Sequence, residues 1–354
     1  MIKKRYLAVV AASAALAVLT FGQSTLAADY VMKYGHVGVA TKGSDDQEAA
    51  LWLKDFLETN SHGRIEVQIY PGGQLGNVRE EVEAIQLGTL EAAHTSAGGI
   101  TQFFPEIQVL SIPYLVPDDQ IAECLMDSDF SADLRATILK KTGNVLMLAM
   151  TNTGGWRNFY SVKKPIHSAA DLAGVKMRTI NSPLAIEMVK FLGGNATPVA
   201  WEELYTALQT GVVEGTKNAA MDVVTTHLDE SLKYVTLDKH EYLYGYDWLS
   251  YKWLKSLPKD LQTLVLSGMT QAAIIHYQYN KMVDGEYLKQ FVEHGGTVYV
   301  PTVEEKATFQ KAKEPMIKWF IDKYGDTWYK KATDSINKCQ AKFAKDYNDI
   351  LALQ

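Results

Sequence analysis

Cysteine occurs only twice in the 354 residues, at Cys124 and Cys339. Two distant cysteines are no disulfide framework. Outside the cytoplasm they could join and close a long stabilising loop. They could equally stay as two buried thiols, and the sequence leaves both readings open. The chain also lacks the G-x-S-x-G, H-E-x-x-H and P-loop patterns that would announce an activated serine, a catalytic zinc or a phosphate cradle. It lacks an excess of basic charge. The formal net charge is -6, which argues against nucleic acid or an anionic membrane as partner. Beyond the first residues there is no apolar run long enough to span a bilayer.

What is present begins with an export signal. Lys3, Lys4 and Arg5 precede an apolar, alanine-rich stretch from Tyr6 to Phe21. The small residues Ser24 to Ala28 follow, with cleavage expected after Ala27. No cysteine lies there, so a lipoprotein anchor is not available. The expected mature protein is free in the periplasm. Removing the three positive charges of the leader takes the net charge from -6 to -6 - 3 = -9.

The full chain has the ordinary globular composition of 47% hydrophobic and 21% charged residues, with room for two lobes. Strand, helix, strand, helix is the reading for Tyr30–Val37, Asp45–Asn60, Arg64–Tyr70 and Val78–Leu87. The pattern restarts after the apolar run Asn144–Met150. Ser168 to Asp171 resembles a capping box, Val175–Ile180 is a strand, and Ser182-Pro183 opens a helix that Gly193-Gly194 closes. A strand at Ala196–Ala200 and a helix from about Glu202 follow. From Pro258 to about His294 little would break a helix. At ~1.5 Å per residue it would be ~50 Å long and would run along both lobes. Lys311–Tyr324 and Thr333–Leu351 read as further amphipathic helices.

The segment from Gly154 to Asn218 carries the chemistry. Arg157 follows the Gly154-Gly155-Trp156 turn, and Arg178 lies in the strand run Val175–Ile180. A guanidinium fixed on a strand is a preorganised fork for a carboxylate or another planar anion. No nucleophile and base accompany it, which points to holding an anion rather than transforming one. His36, His94 and His240 raise the question of a metal, but they are far apart with no paired spacing, so no metal or other cofactor is expected.

These blocks, in this order, resemble a known family. Ser61-His62-Gly63-Arg64-Ile65 precedes Tyr70-Pro71-Gly72-Gly73-Gln74-Leu75-Gly76. Phe104-Pro105-Glu106, Ile112-Pro113-Tyr114 and Lys164-Pro165-Ile166 follow. Asp171 to Arg178 and Ala207 to Gly215 complete the set. The chain resembles the solute-binding subunits of tripartite ATP-independent periplasmic (TRAP) transporters, the DctP type, over essentially its whole mature length. The resemblance implies an α/β fold of the periplasmic binding protein kind. Two α/β lobes enclose a ligand cleft and are joined by crossing segments and a long helix. Residues 28–153 with 243–285 are expected to form lobe 1, and 154–242 with 286–354 lobe 2. It implies a monomer whose partners are a small organic anion and the small and large membrane permease subunits. It also implies that the chain is no enzyme.

Residue by residue, the resemblance makes Arg178 the partner of the ligand carboxylate and Arg157 a second arginine. Asn218 and Trp201 become pocket companions, with Trp201 packing on the ligand. His240 matches a histidine of part of the family, and Ser96 and His36 complete the candidate set. Each has an alternative: an ion pair for Arg157, a turn for Asn218, plain core for Trp201, a lobe interface for His240. Tyr34, Tyr242, Tyr244 and Tyr246 could line the first-lobe side of the cleft or fill the strand core. The family's usual Val-Asp-Gly-Gln-Glu-Asn reads here Val213-Glu214-Gly215-Thr216-Lys217-Asn218. The loop Thr95–Gly99 has no acidic residue, which argues against sialic acid and for a smaller ligand. A mono- or dicarboxylate, including hydroxy or keto acids, ranks first, then an isethionate-like sulfonate, then a sugar acid. A secreted hydrolase and a ligand-sensing module are the rivals of another class.

Overall fold

The computed structural model describes residues 28–41 and 43–352. The leader and its cleavage site lie outside the described residues. The first elements in chain order are β1 (Tyr30–His36), α1 (Asp45–Asn60), β2 (Ile65–Tyr70), α2 (Val78–Leu87) and β3 (Ala92–Ser96). Then come α3 (Asp119–Met126), α4 (Asp129–Thr142), β4 (Val145–Ser161), β5 (Lys176–Thr179), α5 (Pro183–Phe191) and β6 (Asn195–Pro198). The middle holds α6 (Leu204–Gln209), β7 (Gly215–Asn218), α7 (Ala220–Thr225), β8 (Tyr234–Ser250) and α8 (Tyr251–Ser256). The chain ends in α9 (Lys259–Glu293), β9 (Thr297–Tyr299), α10 (Val303–Gln310), α11 (Lys313–Tyr324) and α12 (Thr327–Leu351). Among the described residues, no helix is long and apolar enough to cross a membrane.

Local chemistry sets the boundaries where sequence alone found them. Asn77 caps α2 by accepting from the amides of Arg79 and Glu80, and Glu80 returns the bond, closing a capping box. Gly88 ends the helix in the left-handed region at φ 82°. Ser182 caps α5, and Pro183 occupies its first turn, where no amide is needed.

The strands form one sheet of order β2-β1-β3-β8-β4-β7-β5-β6, with β9 beside β8. Its spine is the antiparallel pair β4 and β8, 17 residues each. β3 joins one end of this pair, through Ala92–Ser96 against Gly245–Leu249. β7 joins the other, through Asn158–Ser161. The two strands therefore are the crossing segments of the expected fold. Their register slips between Asn152 and Gly155, where Gly154 and Gly155 take φ of +110° and +85°. Such a bulge bends and twists the spine at its middle, and only glycine adopts these angles cheaply.

The 35-residue helix α9 runs along both halves. Leu261, Val265 and Met269 join a core with α1, β1 and β2, whereas Tyr287 and Phe291 join a core with α6 and α7. The tail corrects one expectation. Residues 286–354 were grouped with the second lobe, but α12 packs on α3 and α4, which precede β4. A disulfide between Cys124 and Cys339, with Cα atoms 6.0 Å apart, fixes α12 there. The physical reason is the amphipathic face of α12: Trp328, Ala332 and Ile336 bury against the core around Phe104 and Phe130.

Candidate functional site

β5 runs between β6 and β7, so Arg178 leaves a strand flanked on both edges and is 3% exposed. Its Nε donates to the carbonyl of Val199 at 3.0 Å, and its guanidinium lies 5.8 Å from the ring centre of Trp201. The carbonyl and the indole hold the fork in place. Nη2 is buried without a hydrogen-bond partner among the described residues. Burial, with Arg157 adding repulsion, pushes the Arg178 pKa down to about 9. This is a desolvated cation in want of an anion.

Arg157, on β4, is differently placed. Its Nη1 donates to the carbonyl of Lys217 at 2.6 Å, and its Nε lies 3.5 Å from Oε2 of Glu241. Lys217 itself is buried, and burial lowers its pKa to about 8. Asn218 accepts from Thr216 and donates to Asp222 at 3.1 Å, so it fixes the Asp222 carboxyl. Burial raises the pKa of Asp222 to about 6.

Arg157 and Arg178 border two adjoining cavities. Lys217, Glu241 and Tyr242 border the smaller one. Trp201, Asn218 and Asp222 border the larger, which is faced from α1 and β3 by Asp45, Asp46, His94 and Ser96. One wall is rich in cations and the other in carboxyls and imidazole. Burial and the charge of Asp45 raise the pKa of Asp46 to about 8. Asp45, although burial opposes it, is held near 2 by His276. The rims of the two walls meet here: a methyl group on Gly98 would sit 2.3 Å from Cδ1 of Ile180.

Of the candidates from sequence, Arg178, Arg157, Asn218, Trp201 and Ser96 converge on these cavities. His240 and His36 do not. His240 is 1% exposed, bonded through Nδ1 to Asp238 at 2.9 Å and stacked on Phe159 at 4.5 Å. The cavity receives its neighbour Glu241 instead, which is paired with Arg157 in register. His36 is 0% exposed and bonded to Gln47 at 3.0 Å, and it borders neither cavity.

The sequence reading passed over Lys217, Asp222, Glu241, Asp45 and Asp46. A signal existed for Lys217, which stands in the run that departs from the usual family pattern, and for Glu241, one residue from His240. The expectation that no ligand set for a metal converges also needs correction. His94, His276 on α9 and Asp46 bring donor atoms to within 4.8 Å of one another, and His36, beside His94 in the β1–β3 register, has its Nδ1 3.8 Å from Asp46 Oδ2.

A family model described as bacterial extracellular solute-binding protein, family 7 (DctP), matches residues 36–323. A solute-binding protein of Verminephrobacter eiseniae is 30% identical over 319 residues, covering 90% of this chain and 91% of the relative. Among solved structures, a TRAP periplasmic solute-binding protein from Sulfurospirillum deleyianum with bound succinate is 28% identical with a TM-score of 0.80. That likeness covers 89% of this chain and 99% of the other. One from a Polaromonas species, bound to D-erythronate, is 27% identical with a TM-score of 0.79, covering 88% and 98%.

Proposed function

Because the chain belongs to bacterial extracellular solute-binding protein family 7, we propose that it is the periplasmic solute-binding subunit of a TRAP transporter. In this reading it traps a small organic anion between its two lobes and delivers it to the two membrane permease subunits. It holds its ligand and does not transform it. The observation that carries the reading is Arg178: a buried guanidinium, oriented by Val199 and Trp201, with Nη2 unpartnered beside a cavity walled from both lobes.

The ligand's carboxylate takes the place of that missing partner. A bidentate pair in a desolvated site is stronger than a surface ion pair because water does not screen it. Contacts with both walls favour the closed state over the open one. A micromolar affinity needs ~8 kcal/mol, which the Arg178 pair, hydrogen bonds from the opposite wall and the Trp201 face can together supply. The other polar groups around the cavities set the ligand class. Asp46, Asp222 and His94 accept or exchange hydrogen bonds with hydroxyl groups, whereas Asp45 and Glu241 add negative charge near a second carboxylate. This favours a hydroxylated monocarboxylate over a simple dicarboxylate. Related proteins hold both kinds, D-erythronate and succinate.

The test is a thermal-shift screen of hydroxy acids, keto acids, sugar acids, dicarboxylates and small sulfonates. A ligand that binds only the folded state raises its melting temperature. Hydroxy monocarboxylates should give the largest shift. A screen in which no organic anion shifts the melt, while an uncharged solute does, would overturn the reading.

A further inference from the structure

Behind the carboxyl-rich wall lies a cluster that the anion clamp does not use. His94 leaves β3 and donates or accepts through Nδ1 with Asp247 Oδ1 at 3.0 Å, and Tyr34 donates to the same oxygen at 3.3 Å. A carboxylate can only accept, so Nδ1 carries a proton. Nε2 faces Oδ1 of Asp46 at 3.6 Å, beyond hydrogen-bond distance. Both atoms are buried without a hydrogen-bond partner among the described residues. His276, from α9, brings its Nε2 to 3.4 Å from the same Asp46 oxygen. The three residues are 2%, 6% and 1% exposed for His94, Asp46 and His276.

We propose that Asp46, His94 and His276 form a binding site for a divalent transition metal of the zinc class. In a tetrahedral site with metal–ligand bonds of ~2.0–2.2 Å, neighbouring donor atoms stand ~3.3 Å apart. The two measured edges, 3.4 and 3.6 Å, match that spacing. Two imidazoles and one carboxylate suit zinc, copper, cobalt or nickel better than calcium or magnesium, which prefer oxygen alone. The Asp247–His94 pair is the outer carboxylate that fixes the tautomer and orientation of a ligating histidine. To ligate, His276 Nε2 gives up the contact it makes with Asp45 Oδ2 at 2.7 Å, and the ring proton moves to Nδ1. Asp46 and His94 line the cavity that Arg157 and Arg178 also line. The fourth position of the metal thus opens toward the ligand space, where an oxygen donor of a bound acid can occupy it.

The test uses the full mature chain without an affinity tag, dialysed against a chelator and free of organic acids, so that its outcome is independent of the anion reading. Zinc is titrated by calorimetry and cobalt by visible absorption. The site predicts one equivalent of zinc and intense cobalt bands of four-coordinate geometry. In His276→Gln and Asp46→Asn the affinity falls at least about tenfold, and Asp247→Asn, which alters only the outer partner, weakens it by about tenfold. His240→Gln, outside the cluster, leaves it unchanged. Should a variant fail to fold, the parent titration still decides. No saturable stoichiometric binding by the parent, six-coordinate cobalt spectra, or equal affinity in folded His276→Gln would each overturn the site. Anion binding that persists through Arg178 in any of these cases would leave the proposed transport function untouched.

Discussion

Nε of Arg157 lies 3.5 Å from Oε2 of Glu241, opposite it in the β4–β8 register, so this arginine carries its own counter-ion. Arg178 has no carboxylate within ion-pair distance among the described residues, and its Nη2 has no partner. Two arginines at one cavity therefore have unequal roles. In the proposed function Arg178 receives the ligand anion, whereas Arg157 is already partly neutralised by Glu241 and donates to the Lys217 carbonyl. Replacing Glu241 by Gln removes the internal counter-ion. The affinity for a dianion should then rise relative to a monoanion by about tenfold, or about 1.4 kcal/mol. Competition calorimetry with succinate and a monocarboxylate of similar size measures the ratio, and an unchanged ratio would mean that Glu241 does not shape the cavity potential.

Closure depends on the close approach of Gly98 to Ile180. Gly98 has an ordinary backbone angle, so a side chain there costs no backbone strain, yet its first carbon would already sit 2.3 Å from Ile180 Cδ1. Gly98→Leu should fold normally but hold the rims apart, weakening the best ligand by about tenfold or more through the lost closed population. Small-angle scattering with saturating ligand should show the variant more extended than the parent. Equal affinity and equal compaction would remove Gly98 from the closing contact.

The Cys124–Cys339 bond joins α3 to α12 across 215 residues of chain and lies away from the cavities. Its removal in Cys124→Ser/Cys339→Ser should lower stability by about 2–5 kcal/mol, mainly by freeing the unfolded chain. Ligand affinity at a temperature where the variant stays folded should not change. Denaturant unfolding and calorimetry on the same samples separate the two effects.

Glu81 gives stability a distinct pH dependence. It is fully buried on α2, and neither carboxyl oxygen finds a hydrogen bond among the described residues. Burial, with the nearby Asp46, pushes its pKa up from 4.5 to about 9. Below the lower value both states hold the proton. Between the two values the native state holds a proton that the unfolded chain has lost, so stability falls as pH rises across that window. Glu81→Gln should match the parent in melting temperature near pH 4.5 and exceed it at pH 8, by about 1 kcal/mol or more. A constant difference across that range would show that Glu81 is ionised in the fold.

Local signals made most of the fold legible before any coordinates. The limits of α1 and α2 follow from acidic first turns, a capping box and a terminal glycine, all within a few residues. The length of β8 was not legible, because a 17-residue strand is held by pairing with β4, β3 and β9, which are remote in sequence. The same holds within the site. Arg178 was found from its strand and its motif. Glu241 was missed by one residue, since the face a strand residue presents depends on register and not on composition. His276 was missed because its helix reads as a uniform amphipathic run, and only the packing of α9 against α1 and β3 makes it a neighbour of His94 and Asp46.

The central claim is that Arg178 receives the ligand's anion, and the most direct measurement is calorimetry of Arg178→Ala with the tightest organic acid from the screen. Removing one partner of a buried charge pair costs about 2–5 kcal/mol, so affinity should fall by at least about thirtyfold. Arg157→Ala should cost less, and ligand-free Arg178→Ala should remain folded. A folded Arg178→Ala that binds the acid with the parent's affinity would contradict the account.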